Sequence, residues 1–163
     1  MLGPLLIEIA SAATLTVGPT GQYATIAEAV VAAVDMDRIV LEPGTYDESV
    51  TIDGKHLYID GPGASTTQWT GTGLFALRID GDVGVRISGV TFSNPSGRCI
   101  RADDYGMLQV VDTVFTSCHA SNGDGGAIYA PHAWLDVRDS MFVDNSATSG
   151  GHIDAGERLH ATR

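Results

Sequence analysis

The 163-residue chain is long enough for one domain with a buried core, and its 44% hydrophobic content and 20 glycines suit a turn-rich β protein rather than a disordered chain. Its 9 basic and 20 acidic residues give a formal charge of −11, and Lys55 is the only lysine. Nucleic-acid backbones and anionic membrane surfaces both need clustered cations, so they are excluded as partners; neutral sugars, or cations that bridge carboxylates, fit the charge better.

In chain order, the first segment, Met1 to Ala12, is apolar and closes on Ala10-Ser-Ala12. The small residues resemble a cleavage site, but a basic n-region is missing and Glu8 interrupts the apolar run. Two readings stand side by side: residues 1–14 as the remnant of an export signal, or an ordinary first strand. The segment is too short to cross a bilayer, and no membrane span is expected.

Tyr23 to Val34 is the first clear element. Thr25 and Glu28 form an S/T-x-x-E capping box. Ile26, Ala29, Val30, Ala33 and Val34 follow helical spacing, which predicts one amphipathic helix of about three turns. After Asp37 the period becomes two. Arg38–Glu42, Ser49–Asp53 and His56–Asp60 read as short strands, closed by Pro43-Gly44, Gly54 and Gly61-Pro-Gly63. Gly44-Thr-Tyr-Asp-Glu48 reads as a turn after a buried strand.

From residue 76 the chain can be laid over itself. Ala76-Leu-Arg-Ile79, Cys99-Ile-Arg-Ala102, Ala127-Ile-Tyr-Ala130 and His152-Ile-Asp-Ala155 form one column. Val85-Arg-Ile87, Leu108-Gln-Val110, Leu135-Asp-Val137 and Leu159-His-Ala161 form a second. Phe92, Phe115 and Phe142 form a third, at a nearly constant offset from Ala76, Cys99 and Ala127. Length varies only after the phenylalanine, where loops belong. The columns recur at intervals of roughly 25 residues, and a period of this size means stacked repeats. Strands this short gain partners by pairing in parallel with their equivalents in neighbouring coils, about 4.8 Å away. The expected fold is therefore all-β: a right-handed parallel β-helix over residues 15–163 with one N-terminal capping helix. The glycine pair Gly125-Gly126 supplies a corner, and Asn145 a side-chain amide for a turn.

Phe142-Val-Asp-Asn145 and Gly125-Gly-Ala-Ile128 resemble the FxxN and GGAI repeats of polymorphic outer membrane proteins and other parallel β-helix repeat proteins. Tyr23 to Val30, followed by Asp37 to Tyr46 and Val50 to Lys55, resembles the start of pectin-lyase-like, NosD-like and pectinesterase β-helices, where the helix caps the solenoid. The resemblance covers roughly residues 15 to 156. It implies an exported protein: secreted, periplasmic or displayed on the outer membrane or cell surface. A polysaccharide or another cell-surface ligand is the implied partner. Residues 152–161 fit half a coil, so the pattern implies a fragment of a longer solenoid, or self-association through an open C-terminal coil.

Candidate chemistry is thin, and no catalytic set is assigned. Gly44 to Glu48 matches the GxYxE element of pectinesterases, but their QAVAL, VDFIFG and LGRPW elements are absent. The alternative activity implied by the resemblance is a pectate-lyase-like polysaccharide lyase or a carbohydrate esterase whose catalytic coils are partly missing. Asp80 and Asp103 share an offset, with Asp82 and Asp104 beside them; as hard oxygen ligands on stacked coils they are candidates for Ca²⁺, the only cofactor the sequence suggests. Arg78 and Arg101 lie in register, either as a basic ladder that neutralises these acids or as the bases of a lyase, the second without an RxPxxR-like element to support it. The five histidines lack the spacing of a metal site. His132 and Trp134 flank a turn and are candidate sugar contacts. Cys99 lies at an inward column position and Cys118 at the FxxN asparagine position of its coil. Placement in different columns does not favour a disulfide, and a buried thiol is expected at Cys99.

Overall fold

The alternating pattern winds the chain into a parallel β-helix in the computed structural model, which describes residues 12–149, 151–156 and 159–162. The export-signal reading covers residues 1–14, of which 1–11 lie outside the described residues. Strand β1 (Thr14–Val17) and helix α1 (Ile26–Ala32) come first. The first coil then holds β2 (Arg38–Leu41), β3 (Gly44–Asp47) and β4 (Val50–Asp53). The second holds β5 (Leu57–Asp60), β6 (Thr67–Thr70) and β7 (Phe75–Asp80). The third holds β8 (Gly84–Ser88), β9 (Thr91–Asn94) and β10 (Arg98–Ala102). The fourth holds β11 (Met107–Val111), β12 (Val114–Asp124) and β13 (Ile128–Ala130). Then come β14 (Trp134–Arg138), β15 (Met141–Val143), β16 (Ser146–Ser149), β17 (Ile153–Ala155) and β18 (Leu159–Thr162).

Three parallel sheets run along the axis. The first stacks β1, β2, β5, β8, β11, β14 and β18 in that order; the second stacks β3, β6, β9, β12 and β15; the third stacks β4, β7, β10, β13 and β17. Strand β16 pairs with β12. The predicted registers hold: Leu77 pairs with Ile100, Ile100 with Ile128, and Ile128 with Ile153. Leu57, Val85, Leu108, Leu135 and Leu159 form an inward row on the first sheet.

The aromatic file is longer than the three phenylalanines suggest. Tyr46, Trp69, Phe92, Phe115 and Phe142 are in register on the second sheet. Trp69, Phe92 and Phe115 are fully buried. The rings of Phe92 and Phe115 lie 5.5 Å apart, 7° from parallel, and those of Phe115 and Phe142 lie 4.9 Å apart at 8°. Parallel in-register pairing forces this geometry, since each inward ring sits one strand spacing above the last.

The corners explain the small residues. Gly125 has φ +64°, a left-handed conformation that costs a side-chain-bearing residue. At Gly126 a Cβ would lie 2.4 Å from the carbonyl oxygens of Gly151 and Ser146. Asn145 serves the corner as expected: its Oδ1 accepts from the Cys118 N–H at 3.0 Å and its Nδ2 donates to the Phe115 carbonyl at 3.0 Å. Asn94 does the same below, donating to the Gly73 and Arg98 carbonyls.

Two expectations are corrected. Cys99 and Cys118 form a disulfide, with Cα atoms 5.5 Å apart, so Cys99 is no free thiol. The two columns are distinct, but they meet at the corner between the second and third sheets, and a bridge can cross a corner. Gly44 to Glu48 is not a turn; its first four residues are strand β3, because Tyr46 buries its ring in the aromatic file and donates its hydroxyl to the carbonyls of Val17 and Glu42.

The helix closes one end of the solenoid. Thr25 and Glu28 form the predicted capping box. Glu48 adds a second cap from the first coil: its carboxylate accepts from the backbone N–H groups of Ile26 and Ala27. The opposite pole of the helix receives the single lysine, since Lys55 Nζ donates to the Val30 carbonyl at 2.9 Å.

Candidate ligand-binding face

Strand alternation splits the first sheet into an apolar inner surface and an outer surface that carries the concentrated polar and aromatic groups. Arg38, Tyr58, Arg86, Gln109, Asp136 and His160 form one outward row by register. Two buried carboxylates organise it. Asp60 accepts from Arg38 Nε at 2.7 Å, from Arg86 Nη1 at 2.8 Å and from the Ser88 hydroxyl. Asp136 accepts from Arg138 through Nε and Nη2 at 3.0 and 2.8 Å, and from Gln109 Nε2 at 2.9 Å; its Oδ1 lies 3.1 Å from His160 Nδ1. Arg138 first, and Gln109 after it, hold the Asp136 carboxyl well below the usual carboxylate range.

Beside this row lies an exposed aromatic platform. His132 and Trp134, the sequence candidates for sugar contact, flank the turn into β14, and both are solvent-facing. The structure adds two neighbours from the coil below. The ring of Tyr105 stacks on that of His132, centroids 5.0 Å apart and 21° from parallel, and Met107 is in register with Trp134. Tyr105 is 72% exposed and Trp134 50%. Two backbone contacts hold this corner: the Tyr105 N–H donates to Asp82 Oδ1, and the Trp134 N–H to the Gly106 carbonyl. Gly106 fits because a Cβ there would lie 2.1 Å from the Val83 carbonyl oxygen. An exposed aromatic face of this kind offers a large apolar surface to the C–H face of a sugar ring.

Tyr105 was legible in principle. The spacing that carries Leu108 onto Leu135 also carries Met107 onto Trp134 and Tyr105 onto His132. Turn residues lack the alternation that marks a strand, so only the extended spacing reveals them.

The four aspartates proposed as Ca²⁺ ligands do lie on adjacent coils, but each is engaged within the chain. Asp80 accepts from Arg78 Nε at 2.7 Å and Asp103 from Arg101 Nε at 2.6 Å. Asp104 accepts from the Gly81 N–H and Asp82 from the Tyr105 N–H. The two arginines are in register, as expected from the sequence, and each pairs with an aspartate two residues on. Among the described residues no group of three or more His, Cys, Asp or Glu side chains is arranged to hold a metal ion. Tyr46 and Glu48 of the GxYxE element face the aromatic file and the helix rather than a common cleft.

The fold and this face define the class: a parallel β-helix protein with a polar, aromatic-bearing outer sheet. No protein-family model matches the chain, and no curated protein matches it.

Proposed function

We propose that this is an exported β-helix protein that binds polysaccharide along the outer face of its first sheet, as a surface or adhesive module. The observation that carries the reading is the exposed cluster of Tyr105, Met107, His132 and Trp134 on two adjacent coils. Large exposed apolar side chains held by backbone contacts are costly unless a ligand uses them, and stacked rings suit pyranose faces. The Cys99–Cys118 disulfide supports the exported part of the reading, because such bonds persist in oxidising compartments. The motifs shared with polymorphic outer membrane proteins and pectin-lyase-like β-helices point the same way. A lyase or esterase reading has less support, since Tyr46 and Glu48 are committed to the core and the helix cap.

Tryptophan fluorescence tests this directly. Trp69 is fully buried, so a ligand-dependent change in emission reports Trp134. Titration with soluble plant and bacterial polysaccharides should give a saturable shift that is weakened in Tyr105→Ala, while Trp134→Ala is compared with wild type by retardation in gels. Affinity electrophoresis in gels containing the same polysaccharides gives an independent readout. Equal binding by wild type and Trp134→Ala removes the reading.

A further inference from the structure

A second site lies on the same sheet toward the helix-capped end, and it does not depend on the aromatic platform. We propose that Arg38, Tyr58 and Arg86 form a binding site for an oxyanion carried on a compact ring, such as a carboxylated or phosphorylated sugar. Arg38 is on β2 and Arg86 on β8, with β5 between them. Their guanidinium groups reach over β5 from opposite sides and converge on Asp60, which is 8% exposed. Tyr58 stands in the same outward row, between the two arginines. Ion pairing thus fixes two cations on either side of one aromatic ring.

The donors are not exhausted. A guanidinium carries five N–H groups in a planar fork. Among the described residues, Arg38 gives Asp60 its Nε and Arg86 its Nη1. Among the described residues, both Nη groups of Arg38, and Nε and Nη2 of Arg86, have no hydrogen-bond partner, and the two arginines line a groove of about 540 Å³. Met36, Ala12, Ala13 and the polar Thr14 line it as well. Two guanidinium charges meet the single Asp60 carboxylate there. Asp37, next to Arg38 in sequence, turns its carboxylate to the backbone N–H groups of Ala13 and Val34, at 2.6 and 2.8 Å. Planar forks recognise oxyanions bidentately, and Tyr58 with Met36 gives the ring an apolar bed. A neutral ring uses the bed but not the forks; a bare inorganic anion uses the forks but not the bed. The site stands three strand spacings from Trp134, about 14 Å.

The test is ¹H–¹⁵N NMR titration of the full chain with four probes. Glucuronate and glucose 6-phosphate carry a ring and an oxyanion, glucose the ring alone, and inorganic sulfate the anion alone. At least one of the two ring-borne anions should shift the signals of Arg38, Tyr58 and Arg86 saturably, and the tighter of them names the oxyanion. Glucose and sulfate should bind at least about tenfold more weakly. Arg86→Gln should weaken the ring-borne anion about tenfold, and Arg38→Gln similarly, with near-UV circular dichroism unchanged. The proposal is overturned if neither ring-borne anion gives a saturable shift, if glucose or sulfate binds as tightly as they do, or if both folded variants bind like wild type. Because Trp134 lies outside the site, Trp134→Ala should leave these titrations unchanged.

Discussion

The carboxylate of Glu48, in the first coil, lies 2.8 Å from the backbone nitrogen of Ile26, the first residue of the capping helix. A second oxygen of the same group reaches the nitrogen of Ala27 at 2.9 Å, and the Glu48 carbonyl accepts from the Trp69 indole at 3.0 Å. One residue thus joins the cap, the first coil and the aromatic file at Trp69. Glu48→Ala leaves two helix-end N–H groups without their acceptor and should cost about 1–2 kcal/mol. Urea unfolding followed by far-UV circular dichroism measures this. Glu48→Gln keeps an acceptor and should cost less; an equal loss in both variants would place the effect in packing rather than in the cap.

The aromatic file should dominate the stability of the middle coils. Phe115 is fully buried between Phe92 and Phe142. Phe115→Ala removes ring contacts on both sides and leaves a void that the rigid strands cannot close, at a cost of about 3–5 kcal/mol. Phe142 is only partly buried, so Phe142→Ala should cost distinctly less. Chemical denaturation of the two variants side by side checks the order.

The disulfide joins two fully buried cysteines separated by 19 positions in sequence. Closing a loop of this size restricts the unfolded chain and is worth about 3 kcal/mol. The double variant Cys99→Ala, Cys118→Ala should therefore unfold at a lower urea concentration than the oxidised wild type. Unfolded without reductant, the wild type should take up no alkylating label, and after reduction two, a difference that mass spectrometry reads directly.

Asp136 should make stability acid-sensitive. Its folded pKa lies below the unfolded value of about 3.9, so the unfolded chain takes up the proton first. The stabilisation is present above about pH 4 and is lost as pH falls from there toward the folded pKa. Asp136→Asn should cost about 1 kcal/mol at neutral pH and flatten the pH dependence of unfolding below about pH 4. An unchanged slope would show that the Arg138 and Gln109 contacts carry no net free energy.

Periodicity made the architecture readable because stacking in register is the same statement in sequence and in space. The registers Leu77–Ile100–Ile128–Ile153 and the file Phe92–Phe115–Phe142 follow from counting along the chain. Trp69 and Tyr46 escaped the count because a tryptophan and a tyrosine fill the phenylalanine slot in the first two coils. Strand β1 escaped because Thr14 to Val17 precedes any repeat that could vouch for it. The site was less legible than the fold. His132 and Trp134 declare themselves by type, whereas Arg38 and Arg86 gain meaning only from Asp60, which reads as an ordinary strand end. The cysteine pair misled because column membership does not reveal which columns share a corner.

In-register parallel stacking gives each winding the same kind of neighbours above and below, and the helix packs against β1, β2 and β4 at one end. A duplicated stretch one winding long, inserted between existing windings, would meet partners already shaped to receive it. Lineages can therefore lengthen or shorten such a rod by whole units through tandem copying in the gene, while its lid and its decorated side stay intact.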